Sequence, residues 1–178
     1  LISSGMIMGA AAETANTGNT YQNNTMSRAQ YGIGVVGPAT METATVITGN
    51  TIGSTLATDK IGYIGMFLSN QQGILANNNL IDGVTTSSTS NSTGITVAGT
   101  ISGGSIIGNQ IQNIANTNAT GYGADGIYLG ATSTASSLTI ANNFVSAVTG
   151  YGYAGVGIAD NGYGIAVESG GGYNIWYN

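Results

Sequence analysis

One short phrase, Gly-apolar-any-apolar, returns about every thirty residues, and no other feature of the chain constrains its fold as strongly. It appears as GMIM at 5–8, GIGV at 32–35, GMFL at 65–68, GITV at 94–97, GIYL at 126–129 and GIAV at 164–167. A second phrase lies between these copies: VITGNTI at 46–52, ILANNNL at 74–80, SIIGNQI at 105–111 and LTIANNF at 138–144, with a weaker copy, ANTGNTY, at 15–21. Two markers sharing one irregular period define a repeat protein, in which each unit buries its apolar face against its neighbours.

Each unit predicts strand, turn, strand. Strand side chains alternate between faces, so one face of the Asn phrase carries Val46, Thr48, Asn50 and Ile52, then Ile74, Ala76, Asn78 and Leu80. It continues with Ser105, Ile107, Asn109 and Ile111, then Leu138, Ile140, Asn142 and Phe144, and a third apolar position follows at Leu56, Val84, Ile114 and Val148. In the Gly phrase the inward pairs are Ile33 and Val35, Met66 and Leu68, Ile95 and Val97, Ile127 and Leu129, and Ile165 and Val167. A coil that stacks on itself needs such equivalence at every turn. Asn19, Asn50, Asn78, Asn109 and Asn142 are then expected to form a ladder whose amides hydrogen-bond along the column. The Gly residues are expected to supply backbone freedom at a tight corner. The expected fold is all-β, a parallel β-helix of about five to six rungs of roughly 30 residues, with 1–178 as one domain or a segment of a longer helix.

On these phrases the chain resembles the parallel β-helix repeats of pectate-lyase-like proteins and of large secreted bacterial surface proteins. The resemblance covers essentially the whole chain and implies a right-handed coil. It implies no single activity, because lyases, tailspikes and adhesins share such coils. The competing architecture, an antiparallel sandwich, would show hairpin signals every 8–12 residues, and that is not the dominant rhythm here.

Neither end is expected to carry a cap. Residues 1–10 hold a Gly phrase with no Asn phrase before it, and YNIWYN at 173–178 resembles the first strand of a further rung, with either Trp176 or the pair Ile175 and Tyr177 inward. An uncapped coil presents unpaired strand groups that template another chain. Self-association through the ends, or covalent continuation of the solenoid, is therefore expected. Head-to-tail stacking does not close and so builds a filament.

Composition narrows the function classes. Only 5% of residues are charged while 42% are hydrophobic, so the chain can build a core and must cover it with Thr, Ser, Asn and Gly. With Arg28 and Lys60 as the whole cation complement, phosphate tracking is excluded, and so is nucleic acid as a partner. An anionic membrane surface is disfavoured for the same reason. IGYIGMFL at 61–68 is far too short to cross a bilayer, and the start, LISSGMIMGAAAE, has no basic segment of the kind that opens a secretory leader. Poverty in Lys with richness in Thr, Asn and Gly points to an extracellular or cell-surface setting.

The chain contains neither Cys nor His, which removes thiol chemistry and imidazole catalysis, and no cofactor or metal is expected. Its carboxylates are Glu13, Glu42, Asp59, Asp82, Asp125, Asp160 and Glu168. Polysaccharide hydrolysis needs two of them flanking a bond, and these seven fall at different places in the repeat. Asp125 and Asp160 are the pair worth inspecting in space, and both are expected to be solvated turn residues or local turn hydrogen-bonders. No enzyme is expected. The Tyr-rich segment YGYAGVGIADNGYG at 151–164 supports an alternative, a carbohydrate-binding or carbohydrate-processing module, with Tyr151, Tyr153 and Tyr163 contacting sugar or a neighbouring subunit. Sequons place possible glycosylation at Asn23, Asn91 and Asn118. No outward Thr recurs at one position of every rung, which argues against ice binding. The leading expectation is a structural or adhesive rod.

Overall fold

The structure is a computed structural model that describes residues 16–152 and 161–178 together with the backbone of 6–8. The chain winds in short parallel strands, and the described residues contain no helix. Strand β1 (Met6–Met8) precedes β2 (Thr20–Gln22) and β3 (Thr25–Met26). A complete turn follows: β4 (Tyr31–Val36), β5 (Glu42–Thr43), β6 (Val46–Thr48) and β7 (Thr51–Ile52). In the next turn β8 (Ile64–Asn77) covers two faces as one bent run before β9 (Leu80–Thr86), and β10 (Ser92–Ile107) with β11 (Gln110–Asn116) repeats that arrangement. The turn of β12 (Ala124–Ala131), β13 (Leu138–Ala141) and β14 (Phe144–Thr149) leads to β15 (Gly162–Ser169) and β16 (Tyr173–Trp176). The result is a parallel β-solenoid of about four turns. That is slightly fewer than the five to six rungs expected.

Every strand pair is parallel and joins equivalent positions of successive turns. The Gly phrases stack as Ile33, Met66, Ile95, Ile127 and Ile165, with Val35, Leu68, Val97, Leu129 and Val167 beside them. The second face stacks Tyr21, Ile47, Ala76, Ile106, Ile140 and Ile175. The third stacks Met26, Ile52, Ile81, Ile111 and Val145. These columns form a single apolar core in which most members are fully buried. Burying a large aliphatic side chain contributes about 1.5–3 kcal/mol, so the core supplies the dominant driving force for winding. At the last described turn the columns are uncovered: Val167 and Ile175 are 45% and 40% exposed. Register with Ile140 identifies Ile175 as the inward residue of β16.

Three expectations about the coil need correction. The inward residues beside the corner are Ile47 and Ile106 before it and Ile81 and Val145 after it; Val46, Thr48, Leu80, Ser105 and Ile107 are only half-buried and Phe144 is 61% exposed, because the left-handed residue at the corner breaks the alternation. Leu56 is 62% exposed; the inward place beside Val84 belongs to Ile61, which bridges to it after an irregular loop. The glycines of the repeated phrase are also needed for a different reason. Gly65 and Gly94 do not sit in the left-handed region. A Cβ on Gly65 would lie 2.6 Å from the Gly94 carbonyl oxygen and 2.7 Å from Ile81 Cγ2, and one on Gly94 would lie 2.5 Å from both Gly126 O and Ile111 Cγ2. Successive turns approach so closely at this column that a methyl group has no room. The constraint is one of space, not of backbone torsion.

Candidate functional site

Three polar features stand out against so apolar an interior: an amide ladder, an aromatic groove, and a set of buried groups that lack partners.

The ladder occupies the corner between the second and third faces. Its members are Asn24, Asn50, Asn79, Asn109, Asn143 and Asn178, and four of them are almost fully buried. Each Asn uses its backbone N–H and its Nδ2 to donate to the Oδ1 of the Asn in the next turn, at 2.8–3.0 Å. Beyond the first turn, Nδ2 also donates to a carbonyl of the turn before, as from Asn79 to Ile47 O at 3.0 Å. Every buried polar atom at the corner is thereby satisfied, which a sharp bend inside an apolar coil requires. All the bonds point one way along the axis.

The expected ladder was Asn19, Asn50, Asn78, Asn109 and Asn142, and only Asn50 and Asn109 are on the column. Asn78 and Asn142 are exposed and adopt left-handed backbone, φ 56° and 54°, as do Gly49 and Gly108 at φ 64° and 67°. The left-handed residue turns the chain, and the residue after it points inward, so Asn79 and Asn143 replace Asn78 and Asn142. In the first turn Asn23 (φ 56°) makes the corner and Asn24 joins the column, whereas Asn19 precedes β2. Counting by two across the corner fails because a left-handed residue breaks the alternation. The legible signal was a Gly or Asn, the types that tolerate this conformation, immediately before each inward Asn from Asn24 to Asn143; before Asn178 the left-handed residue is Tyr177, φ 57°.

The groove lies on the outward side of the Gly-phrase face. Tyr63, Phe67 and Tyr128, all half-buried, line it together with Asn91, Thr93, Thr96 and Glu168, and its volume is about 440 Å³. Phe67, Thr96 and Tyr128 come from three successive turns at one register position. Thr93 and Thr96 hydrogen-bond through their hydroxyls. A smaller depression of about 210 Å³, lined by Tyr31, Gly34, Val36 and Phe67, continues it. Tyr31 holds this aromatic strip together by edge-to-face contacts with Tyr63 at 5.5 Å and Phe67 at 6.3 Å.

Asp125 is not a solvated turn residue. It lies on β12 in register with Thr93 and Tyr163, it is fully buried, and among the described residues neither carboxylate oxygen has a hydrogen-bond partner of normal geometry. Burial, with a smaller contribution from the Glu168 charge, pushes its pKa up to about 7; the nearby Asn91 amide opposes this. Near the other end of the coil, Glu42 and Gln71 are fully buried side by side on adjacent strands. Glu42 accepts from Asn16 Nδ2 at 3.3 Å and Gln71 Nε2 at 3.4 Å. Among the described residues Tyr21 OH, Thr45 Oγ1 and Gln71 Oε1 are buried there without partners, and burial together with the Glu42 charge raises the Tyr21 pKa.

The remaining expected residues are scattered. Tyr151 is 64% exposed and Tyr163 half-buried on β15; neither lines the groove, and Tyr153 and Asp160 lie outside the described residues. Among the sequons, Asn23 is an exposed corner residue, Asn118 Nδ2 donates to Ser87 O at 3.1 Å, and Asn91 Oδ1 accepts from Gly123 N at 3.1 Å. Among the described residues no three acidic side chains gather as a metal would need. The groove residues escaped notice in the sequence because they come from turns far apart in the chain and repeat no motif.

Compared with known proteins, the chain matches no family model, no curated protein and no solved structure. What the geometry defines is a class of fold, the parallel β-solenoid.

Proposed function

We propose that this chain is a structural solenoid element of an extracellular or surface assembly, a stiff rod that lengthens by end-to-end addition of equivalent turns. The observation that carries the reading is the one-way ladder. It joins every described turn from Asn24 to Asn178 at one corner, with all its bonds pointing the same way. A one-way ladder repeats the same acceptor and the same donor at the same corner of every cross-section, so any further turn of this pattern, from the same chain or another, can join it. A second copy placed head to tail continues both the ladder and the apolar columns; a copy placed end to like end continues neither. The open last turn adds Val167, Ile175 and Trp176, each 40–49% exposed, to the surface that such a copy covers. The work is mechanical on this reading, the load-carrying residues are the stacked aliphatics and the Asn column, and no catalysis is assigned. The pectate-lyase-like and bacterial-surface resemblance enters as the same proposal, resting on the repeated phrases.

The test is electron microscopy and sedimentation of the purified chain over a range of concentrations. Filaments or end-to-end oligomers that disappear in Ile175→Lys, with its circular dichroism unchanged, are the expected result. A chain that stays monomeric at high concentration overturns the reading.

A further inference from the structure

The aromatic groove has no part in stacking turns, and its chemistry is lopsided. Three half-buried rings, Tyr63, Phe67 and Tyr128, share the lining with the Glu168 carboxylate, and no Lys or Arg lines it. The chain's two cations are engaged elsewhere: Arg28 Nε donates to Asp59 Oδ1 at 2.7 Å, and Lys60 Nζ donates to Thr85 Oγ1 at 3.1 Å. Beside the groove, paired in register with the lining residue Thr93, sits Asp125, fully buried, near the Asn91 amide and with neither oxygen in a hydrogen bond of normal geometry among the described residues. A buried carboxylate is costly without a counter-charge. This chain has none left to supply, so neutralisation comes from a proton or from a ligand.

From the juxtaposition of three aromatic rings, an exposed carboxylate and a buried unpaired one, we infer that the groove binds an organic ammonium group, quaternary or alkyl-amine. Ring faces attract such a cation through their quadrupole, and the two carboxylates supply the field that concentrates it there. Anionic sugars and phosphates meet repulsion from Glu168 and Asp125 with no base to offset it. A hard metal ion requires a cage of oxygens, which rings do not provide. A neutral sugar would use the rings and hydroxyls but draw nothing from the carboxylates. The site is independent of end-to-end stacking, since Ile175 and Asn178 lie on or after β16, outside the groove lining.

Titration calorimetry with choline and with its neutral isostere, in which a tert-butyl group replaces trimethylammonium, tests this directly. Choline is expected to bind at least about tenfold more tightly than the isostere. Phe67→Ala and Tyr128→Ala are expected to abolish that preference, and Tyr128→Phe, which keeps the ring, to retain it. Affinity is expected to rise between about pH 6 and about pH 8, because a neighbouring cation favours ionised Asp125, and Asp125→Asn should flatten the rise. The other titratable groups on strands flanking Asp125 are Tyr163 and Glu168 on β15; β10 carries none. Equal binding of the isostere, no heat with millimolar choline, or binding of a neutral oligosaccharide with no response to choline overturns the inference.

Discussion

Asn79→Ala is the sharpest probe of the ladder. Asn79 is 2% exposed. Its Oδ1 accepts from Asn50 N at 3.0 Å and Asn50 Nδ2 at 2.9 Å, and its Nδ2 donates to Ile47 O, Asn77 O and Asn109 Oδ1 at 3.0–3.1 Å. Truncation leaves Asn50 Nδ2 with Tyr21 O and Thr48 O, and Asn109 Oδ1 with the Asn79 N–H. The buried Asn50 N–H keeps nothing. An orphaned buried donor costs about 1–3 kcal/mol, and each lost net hydrogen bond adds about 0.5–1.5. After allowing for the amide no longer desolvated, the expected loss is roughly 3 kcal/mol. Asn24→Ala is the control: its half-buried Nδ2 gives up one bond to Asn50 Oδ1 at 3.0 Å, and the Asn24 N–H still reaches that oxygen. Nothing buried is orphaned there, so the expected loss is below about 1 kcal/mol. Urea unfolding followed by circular dichroism measures both. Equal losses, or a loss at position 79 under about 1 kcal/mol, would show that the column is a consequence of stacking and not a support for it.

Asp125 gives the coil a pH-dependent stability. Its pKa rises from the ordinary 3.8 to about 7 in the folded chain, so below about pH 4 the carboxyl is protonated whether folded or unfolded, and its full contribution is present. From there to about pH 7 unfolding releases a proton, stability falls by roughly 4 kcal/mol at most, and above that it levels off. Unfolding midpoints of Asp125→Asn are expected to lack this slope; an unchanged pH profile refutes the assignment. Gly94→Ala places a Cβ 2.5 Å from a neighbouring carbonyl and a buried Ile, whereas the nearest atom to one on Gly164 is 3.9 Å away in the open last turn. Thermal unfolding is expected to show a loss of about 1–3 kcal/mol for Gly94→Ala and under about 0.5 for Gly164→Ala. Equal effects would mean that the close approach of turns is not what requires glycine.

The repeat made much of the architecture legible without coordinates. Ile33, Met66, Ile95 and Ile127 recur one per turn because each must lie against its equivalents, and that requirement is written into the period itself. The apolar pairs after each Gly therefore came out in the correct register, and so did Asn50 and Asn109, where a Gly precedes a single Asn. In the runs NNN at 77–79 and NN at 142–143 the same logic slipped by one residue after the corner, and around Asn50 and Asn109 it slipped before the corner, where Ile47 and Ile106 point inward in place of Val46, Thr48, Ser105 and Ile107. Which Asn points inward depends on which one turns left-handed, and that is settled by hydrogen bonds to the turns above and below. The reason for glycine was likewise hidden, because an interstrand clash at Gly65 or Gly94 exists only once the turns are stacked. Asp125 and the groove lay further out of reach. Local pattern marks Asp125 as a turn residue, but its burial, its raised pKa and its proximity to Thr93 and Glu168 arise from segments about thirty to forty residues away. Periodic contacts leave a mark in a repeating sequence because every turn pays the same constraint. A site assembled once, from unlike residues of different turns, leaves none.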